Sequence, residues 1–114
     1  MRTTKLYLKD ILDSINLIEK SIKGLSQKDF DKDKDIQDAT IRRIEIIGEA
    51  AKNVPQPFRK EYGDIPWKDV AGMRDVLIHA YFGVKLDKVW NVVKNDLPLL
   101  KKQIQEITES LGEN

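Results

Sequence analysis

The hydrophobic residues of the first segment recur in alternating steps of three and four. This spacing is the stripe of a long amphipathic helix, and Gly24 is expected to end that helix. The following stretch, residues 26–35, is polar and of mixed charge, with only Phe30 to bury, and it is predicted to be a loop that can hold a turn of helix. The stripe consists of Leu8, Ile11, Ile15, Ile18, Ile22 and Leu25.

Three further segments carry helical spacing. The second helix is predicted to start near Asp35 and to end before Pro55, and the third to start at Pro66 and continue to Gly83. The last opens near Asp87, where Pro98 predicts a kink or restart because proline removes a helical hydrogen bond. No segment shows the period-two alternation of a strand. The expected fold is therefore all-α, a four-helix bundle with an additional short helix.

Composition narrows the class of protein. The 114 residues suit one domain, residues 1–114, with one core. Twenty Lys and Arg against nineteen Asp and Glu leave a net charge of +1, so any contact with nucleic acid has to come from local clustering. The absence of cysteine excludes thiol chemistry and thiolate metal sites. Neither a signal peptide nor a membrane span is recognisable, which favours a cytoplasmic protein.

The third helix carries the candidate chemistry. A core stripe on one of its faces is predicted from Val70, Met73, Leu77 and Ala80. His79, the single histidine, and Asp75 fall almost opposite, one turn apart, so the carboxylate can orient the imidazole. Arg74 and Tyr81 flank the core stripe. A lone surface histidine is usually just solvated, but the apolar neighbours of His79 favour burial of this face against a second subunit.

The segment from Arg74 to Tyr81 resembles the R-x4-H-x-Y signature of the HEPN superfamily. Its surroundings are similar to the HepT-like toxin branch of that superfamily, in the same order along the chain. The similar stretches are IGEAAKNVP at 47–55, IPWKDVAGMRD at 65–75 and YFGVKLDKVWNVVKNDLPLL at 81–100.

The resemblance implies a homodimeric HEPN bundle and a metal-independent endoribonuclease site, without cofactor, in the cleft between two copies. His79 would then be the general acid or base and Arg74 the phosphate-binding cation, with Asp75 in support. Tyr81 would either position RNA or accept AMP from a cognate, MntA-like nucleotidyltransferase antitoxin. The alternative is a noncatalytic helical module that docks such a nucleotidyltransferase or serves as its substrate.

Four other residues are assigned to structure. Trp67 and Trp90 could stack on RNA bases, but their spacing beside core valines favours the core. Arg42 and Arg43 could extend a positive cleft, but Glu45 and Glu49 lie within a turn, which favours a salt-bridged surface. Glu49 has no chemical role that the sequence reveals.

Overall fold

The computed structural model describes residues 3–80 and 86–112, with the backbone alone described for residues 74–80. Within these ranges the chain is all-helical and contains no strand, which confirms the predicted fold class. The helices are α1 (Thr4–Ile22), α2 (Gln27–Lys32), α3 (Lys34–Lys52), α4 (Gln56–Glu61), α5 (Trp67–Ala80), α6 (Leu86–Asn91) and α7 (Leu97–Ser110), and a π-helical turn (Val92–Asp96) joins α6 to α7.

Helix α1 forms where the hydrophobic stripe predicts it. Thr3 caps its start, because the Thr3 hydroxyl accepts a hydrogen bond from the backbone N–H of Leu6 at 3.4 Å. Past its end, Gly24 adopts a φ of +81°, a conformation that glycine reaches without steric cost. The stripe lies inward with the polar residue Ser14 among it: Leu8, Ile11, Ile15, Ile18 and Ile22 are all buried.

Helix α2 replaces most of the predicted loop. The Ser26 hydroxyl accepts from the backbone N–H of Asp29, and the Asp29 carboxylate accepts from the backbone N–H of Ser26. The bond from the Ser26 backbone holds the pKa of the Asp29 carboxyl below its usual range. Phe30 is fully buried and lies 5.3 Å from the ring of Trp90. One buried residue leaves no periodicity, so this helix depends on its capping box and on a single anchor.

Helix α3 lies between α1 and α5 and packs against both. Its inward side includes the predicted face residues Thr40, Ile44, Ile47 and Ala51, all of which are buried. The helix ends at Lys52, ahead of Pro55, as predicted. The short helix α4 then turns the chain back, and the Arg59 guanidinium ties it to α3 by donating to the carbonyl oxygens of Val54 and Ala51 at 3.0 and 2.6 Å.

The C-terminal helix is irregular at the predicted place. Pro98 has no N–H to donate, and its ring would clash with the preceding turn of a regular helix. The chain widens into the π turn just before it, where the Leu97 N–H donates to the Val92 carbonyl oxygen. Beyond Pro98, α7 packs on α1, and Lys101 Nζ lies 2.6 Å from Glu19 Oε1. The predicted interruption therefore takes the form of a π turn within a continuous helix.

Among the described helices, none is both long enough and apolar enough to cross a membrane.

Candidate functional site

Helix α5 is anchored at its start by Trp67. The Trp67 side chain is 5% exposed, its indole N–H donates to the Tyr62 carbonyl oxygen at 3.0 Å, and its ring lies edge-on to Phe58 at 6.3 Å. One turn further, Val70 is buried on the side that packs against α3. This arrangement confirms that Trp67 belongs to the core. Trp90 is half-buried, and it packs against Phe30.

The candidate catalytic residues Arg74, Asp75 and His79 all belong to α5. The helix is continuous through Ala80, so positions 75 and 79 are one turn apart, as their spacing predicts. The side chains of Arg74, Asp75 and His79 lie outside the described residues, and so does all of Tyr81. The roles assigned to these four residues therefore stay predictions.

Four positions of α5 form a row along its outer side. Positions 68, 72, 75 and 79 follow one another in steps of four, three and four residues, which places them within about 60° of one another around the helix axis. The buried residue Val70 is on the opposite side of α5. We call Lys68, Gly72, Asp75 and His79 the outer row of α5. Sequence reasoning had singled out only Asp75 and His79, although the same helical spacing would have revealed Lys68.

Gly72 is an open position in the middle of this row. A Cβ atom built on Gly72 would meet no atom within 4 Å. Glycine inside a helix costs about 1 kcal/mol relative to alanine, and no described contact within the chain requires its small size. Gly72 therefore weakens α5 without a gain in packing.

Replacing Gly72 with Ala is expected to stabilise the fold. The added methyl group meets no described atom and restricts the unfolded chain, so the free energy of unfolding should rise by about 0.5–1 kcal/mol. Urea denaturation followed by circular dichroism measures this change. Gly24→Ala is the matched control: its φ of +81° strains any side chain, so this variant should be destabilised. An unchanged or lower stability for Gly72→Ala would contradict the open placement.

An apolar groove of about 570 Å³ separates α5 from α7 beside the outer row. Leu99 is 59% exposed at this groove, which is unusual for a large aliphatic side chain. The groove is also lined by Val70, Met73, Val92 and Leu100. An apolar surface next to the outer row is the kind of surface that a second protein chain can cover.

A polar cleft of about 320 Å³ lies between α1 and α3. Glu49 lines it together with Tyr7 and Asp10. Arg42, which is exposed, also lines it and pairs with Glu45 at 3.6 Å, one turn further along α3. This pairing confirms the prediction of a salt-bridged surface for Arg42.

Arg43 differs from Arg42. It is half-buried, and it makes no ion pair within the part of the chain that the structure describes. Among the described side chains, no group of three or more His, Asp or Glu is arranged to hold a metal ion.

Comparison with known proteins identifies the family. The family model described as "Ribonuclease HepT-like" matches residues 11–107, which is most of the chain and includes all of α5. The chain belongs to the HepT-like ribonuclease family. The signature that resembled this branch therefore sits in a chain that matches the family from α1 to α7.

Three relatives indicate how far the similarity of this HepT-like chain extends. A protein of Thermococcus cleftensis named "Probable ribonuclease HepT" is 47% identical over 93% of this chain and 96% of its own length. "Putative RNase TTE0752" of Caldanaerobacter subterraneus is 44% identical, over 96% of this chain and 97% of its own length. "Gamma-glutamylcyclotransferase and putative RNase MJ0434" of Methanocaldococcus jannaschii is 54% identical over 99% of this chain, which spans only 51% of that protein. No solved structure matches the chain significantly.

Proposed function

We propose that this HepT-like chain is a metal-independent endoribonuclease. The observation that carries the proposal is the match of a ribonuclease family model to residues 11–107, with the R-x4-H spacing on one continuous helix. Relatives over nearly their full length are named as probable or putative ribonucleases, which supports the same reaction. In this proposal residues 1–114 form one HEPN-type bundle, in which α1, α3, α5 and the joined α6 and α7 are the four principal helices.

The chemistry of metal-independent RNA cleavage explains why two copies of the chain would act together. The 2′-hydroxyl attacks the adjacent phosphorus, and the 5′-oxygen of the next nucleotide leaves. This needs a base, an acid and a cation for the developing negative charge. One chain has one histidine. A two-fold axis that brings two α5 helices together would supply two His79 and two Arg74 to one cleft.

Each residue of the signature has a role in this dimer. One His79 takes the proton of the 2′-hydroxyl, and the His79 of the second copy gives a proton to the leaving oxygen. Arg74 binds the scissile phosphate, because its planar guanidinium matches two phosphate oxygens at once. Asp75 is one turn before His79 on the outer row, and it orients the imidazole.

The biological role we propose is that of a toxin in a toxin–antitoxin pair that acts on RNA in the cytoplasm. The antitoxin would be an MntA-like nucleotidyltransferase that transfers AMP to Tyr81. Added negative charge near Arg74 would offset the cation, and the bulk of AMP would fill the cleft.

Cleavage by the purified chain in the presence of a chelator tests the enzyme directly. Wild-type protein should cut RNA in EDTA, and Arg74→Ala should lower the rate by about 10²–10³-fold, because a preorganised partner of the transition-state charge is lost. Arg42→Ala is the matched control, since Arg42 is an exposed, ion-paired arginine on α3, and it should cleave at the wild-type rate. Equal rates for Arg74→Ala and wild type would contradict the proposal. No cleavage by any of the three proteins would favour the noncatalytic module instead.

A further inference from the structure

A second groove lies between α4 and the start of α5, and its charged side chains are all cationic. Arg59, Lys60 and Lys68 line it, and no carboxylate belongs to its described lining. The carboxylates nearest in sequence line other surfaces: Glu61 faces the C-terminal part of α7, and Asp69 faces the apolar groove. In a chain with a net charge of +1, this is a local concentration of positive charge.

The two lysines of this groove are exposed and not neutralised. Neither Lys60 nor Lys68 makes an ion pair within residues 3–73 and 86–112, whereas Lys9, Lys34 and Lys101 pair with Asp13, Asp38 and Glu19. Arg59 is different, because two of its guanidinium nitrogens bind the end of α3. Lys60 and Lys68 are therefore free to bind an external anion.

The outer row of α5 connects this groove to the signature. Lys68 and His79 are eleven residues apart on the same side of the helix, a rise of about 16 Å along its axis. Between them, Gly72 leaves the surface open, with no described atom within 4 Å of a Cβ position. A glycine without a packing role is typical of a place where a ligand approaches the backbone closely. A few nucleotides of an extended strand can span this distance.

We propose that the groove of Arg59, Lys60 and Lys68 binds the phosphate backbone of single-stranded RNA a few nucleotides away from the scissile bond. The strand would leave the cleft along the outer row of α5, pass Gly72 and reach Lys68 and then Lys60. This inference rests on the proposed function, because the bond that is cut defines where the strand starts. It adds a binding subsite and predicts that affinity grows with RNA length.

The composition of the groove favours RNA over a second protein chain. Its exposed side chains are Gln56, Pro57, Lys60 and Lys68, while the Trp67 ring is buried. Protein interfaces are depleted in lysine, whereas phosphate contacts depend on it. The exposed leucine of this region, Leu99, is at the other groove. The basic groove thus suits a polyanion and the apolar groove suits a protein chain.

Binding of a fluorescein-labelled single-stranded RNA tests the subsite. The proteins are full-length chains that carry His79→Ala, so that RNA stays intact, with and without Lys60→Gln and Lys68→Gln together. Each phosphate contact with a single strand contributes about 0.7 to the slope of log affinity against log salt concentration, so loss of both lysines should reduce the slope by about 1.4. Lys9→Gln with Lys34→Gln is the matched control, because both lysines are exposed and paired, and its slope should not change.

The length of the RNA and the state of assembly separate the outcomes. The affinity for an RNA dinucleotide, which is too short to reach the groove, should be the same with and without the two glutamines. Equal salt slopes for the long RNA would overturn the subsite, and so would failure of the starting protein to bind that RNA at all. Loss of the dimer in the Lys60 and Lys68 variant, measured by light scattering, would also overturn it by making the groove a contact between copies. If the lysines control binding but wild-type protein cuts no RNA, the subsite stands and the proposed ribonuclease activity fails.

Discussion

RNA cleavage by the His79→Ala variant is expected to be slower than wild-type cleavage by about 10²–10⁴-fold. A positioned general acid or base contributes a factor of this size, and the chain has no second histidine that could take over. If two copies share one cleft, the substitution removes both the base and the acid, so the upper part of the range is expected. Cleavage of a labelled RNA by equal amounts of folded protein measures the loss.

Two controls separate chemistry from folding in this experiment. Circular dichroism should give the same helix content for His79→Ala and wild type, because alanine favours the helical conformation of α5. Asp75→Asn keeps the size of the side chain but removes its charge, so it should lower the rate less than His79→Ala does. A His79→Ala protein that cleaves RNA at the wild-type rate would contradict the assigned role.

Transfer of AMP to Tyr81 is expected to abolish cleavage. In this reaction the phenol oxygen forms a bond to the α-phosphorus of ATP, pyrophosphate leaves, and the phenol proton passes to solvent. Incubation with the partner nucleotidyltransferase and ATP should add the mass of AMP and inactivate the protein together. Intact-mass spectrometry and the RNA cleavage assay, applied to the same samples, measure both effects.

The Tyr81→Phe variant gives this prediction its control. It should gain no mass and should keep its activity in the presence of partner and ATP. Tyr62→Phe should still be modified, since Tyr62 is half-buried near α4 and uses its backbone carbonyl to bind Trp67. Modification of Tyr81→Phe, or a modified wild-type protein that still cuts RNA, would contradict the proposed regulation.

Hydrophobic periodicity predicted the long helices because each buries a stripe of several residues. The stripe of α1 and the face of α3 are buried as the spacing requires. Helix α2 was predicted only as a loop with a turn, because Phe30 is its one buried residue and its stability comes from the Ser26 and Asp29 capping box. Pro98 predicted an interruption, but whether the chain answers with a break or a π turn depends on packing against α1.

The candidate site could be predicted in part. The spacing from Arg74 to His79 placed both residues on one helix, and α5 extends through both. The basic groove needed tertiary structure, since α4 has to fold back beside the start of α5 before Lys60 and Lys68 share one surface. The row that joins Lys68 to His79 was present in the sequence, as steps of four, three and four residues.

The chemistry at the 3′ end of cleaved RNA tests the central claim most directly. Attack by the 2′-hydroxyl leaves a 2′,3′-cyclic phosphate, whereas attack by water activated in another way leaves an acyclic end. RNA recovered from cells that express the wild-type protein should carry new cyclic phosphate ends, and RNA from cells that express His79→Ala at the same level should not. New ends of equal number and chemistry in both samples, or new acyclic ends with the wild type, would contradict a His79-dependent, metal-independent ribonuclease.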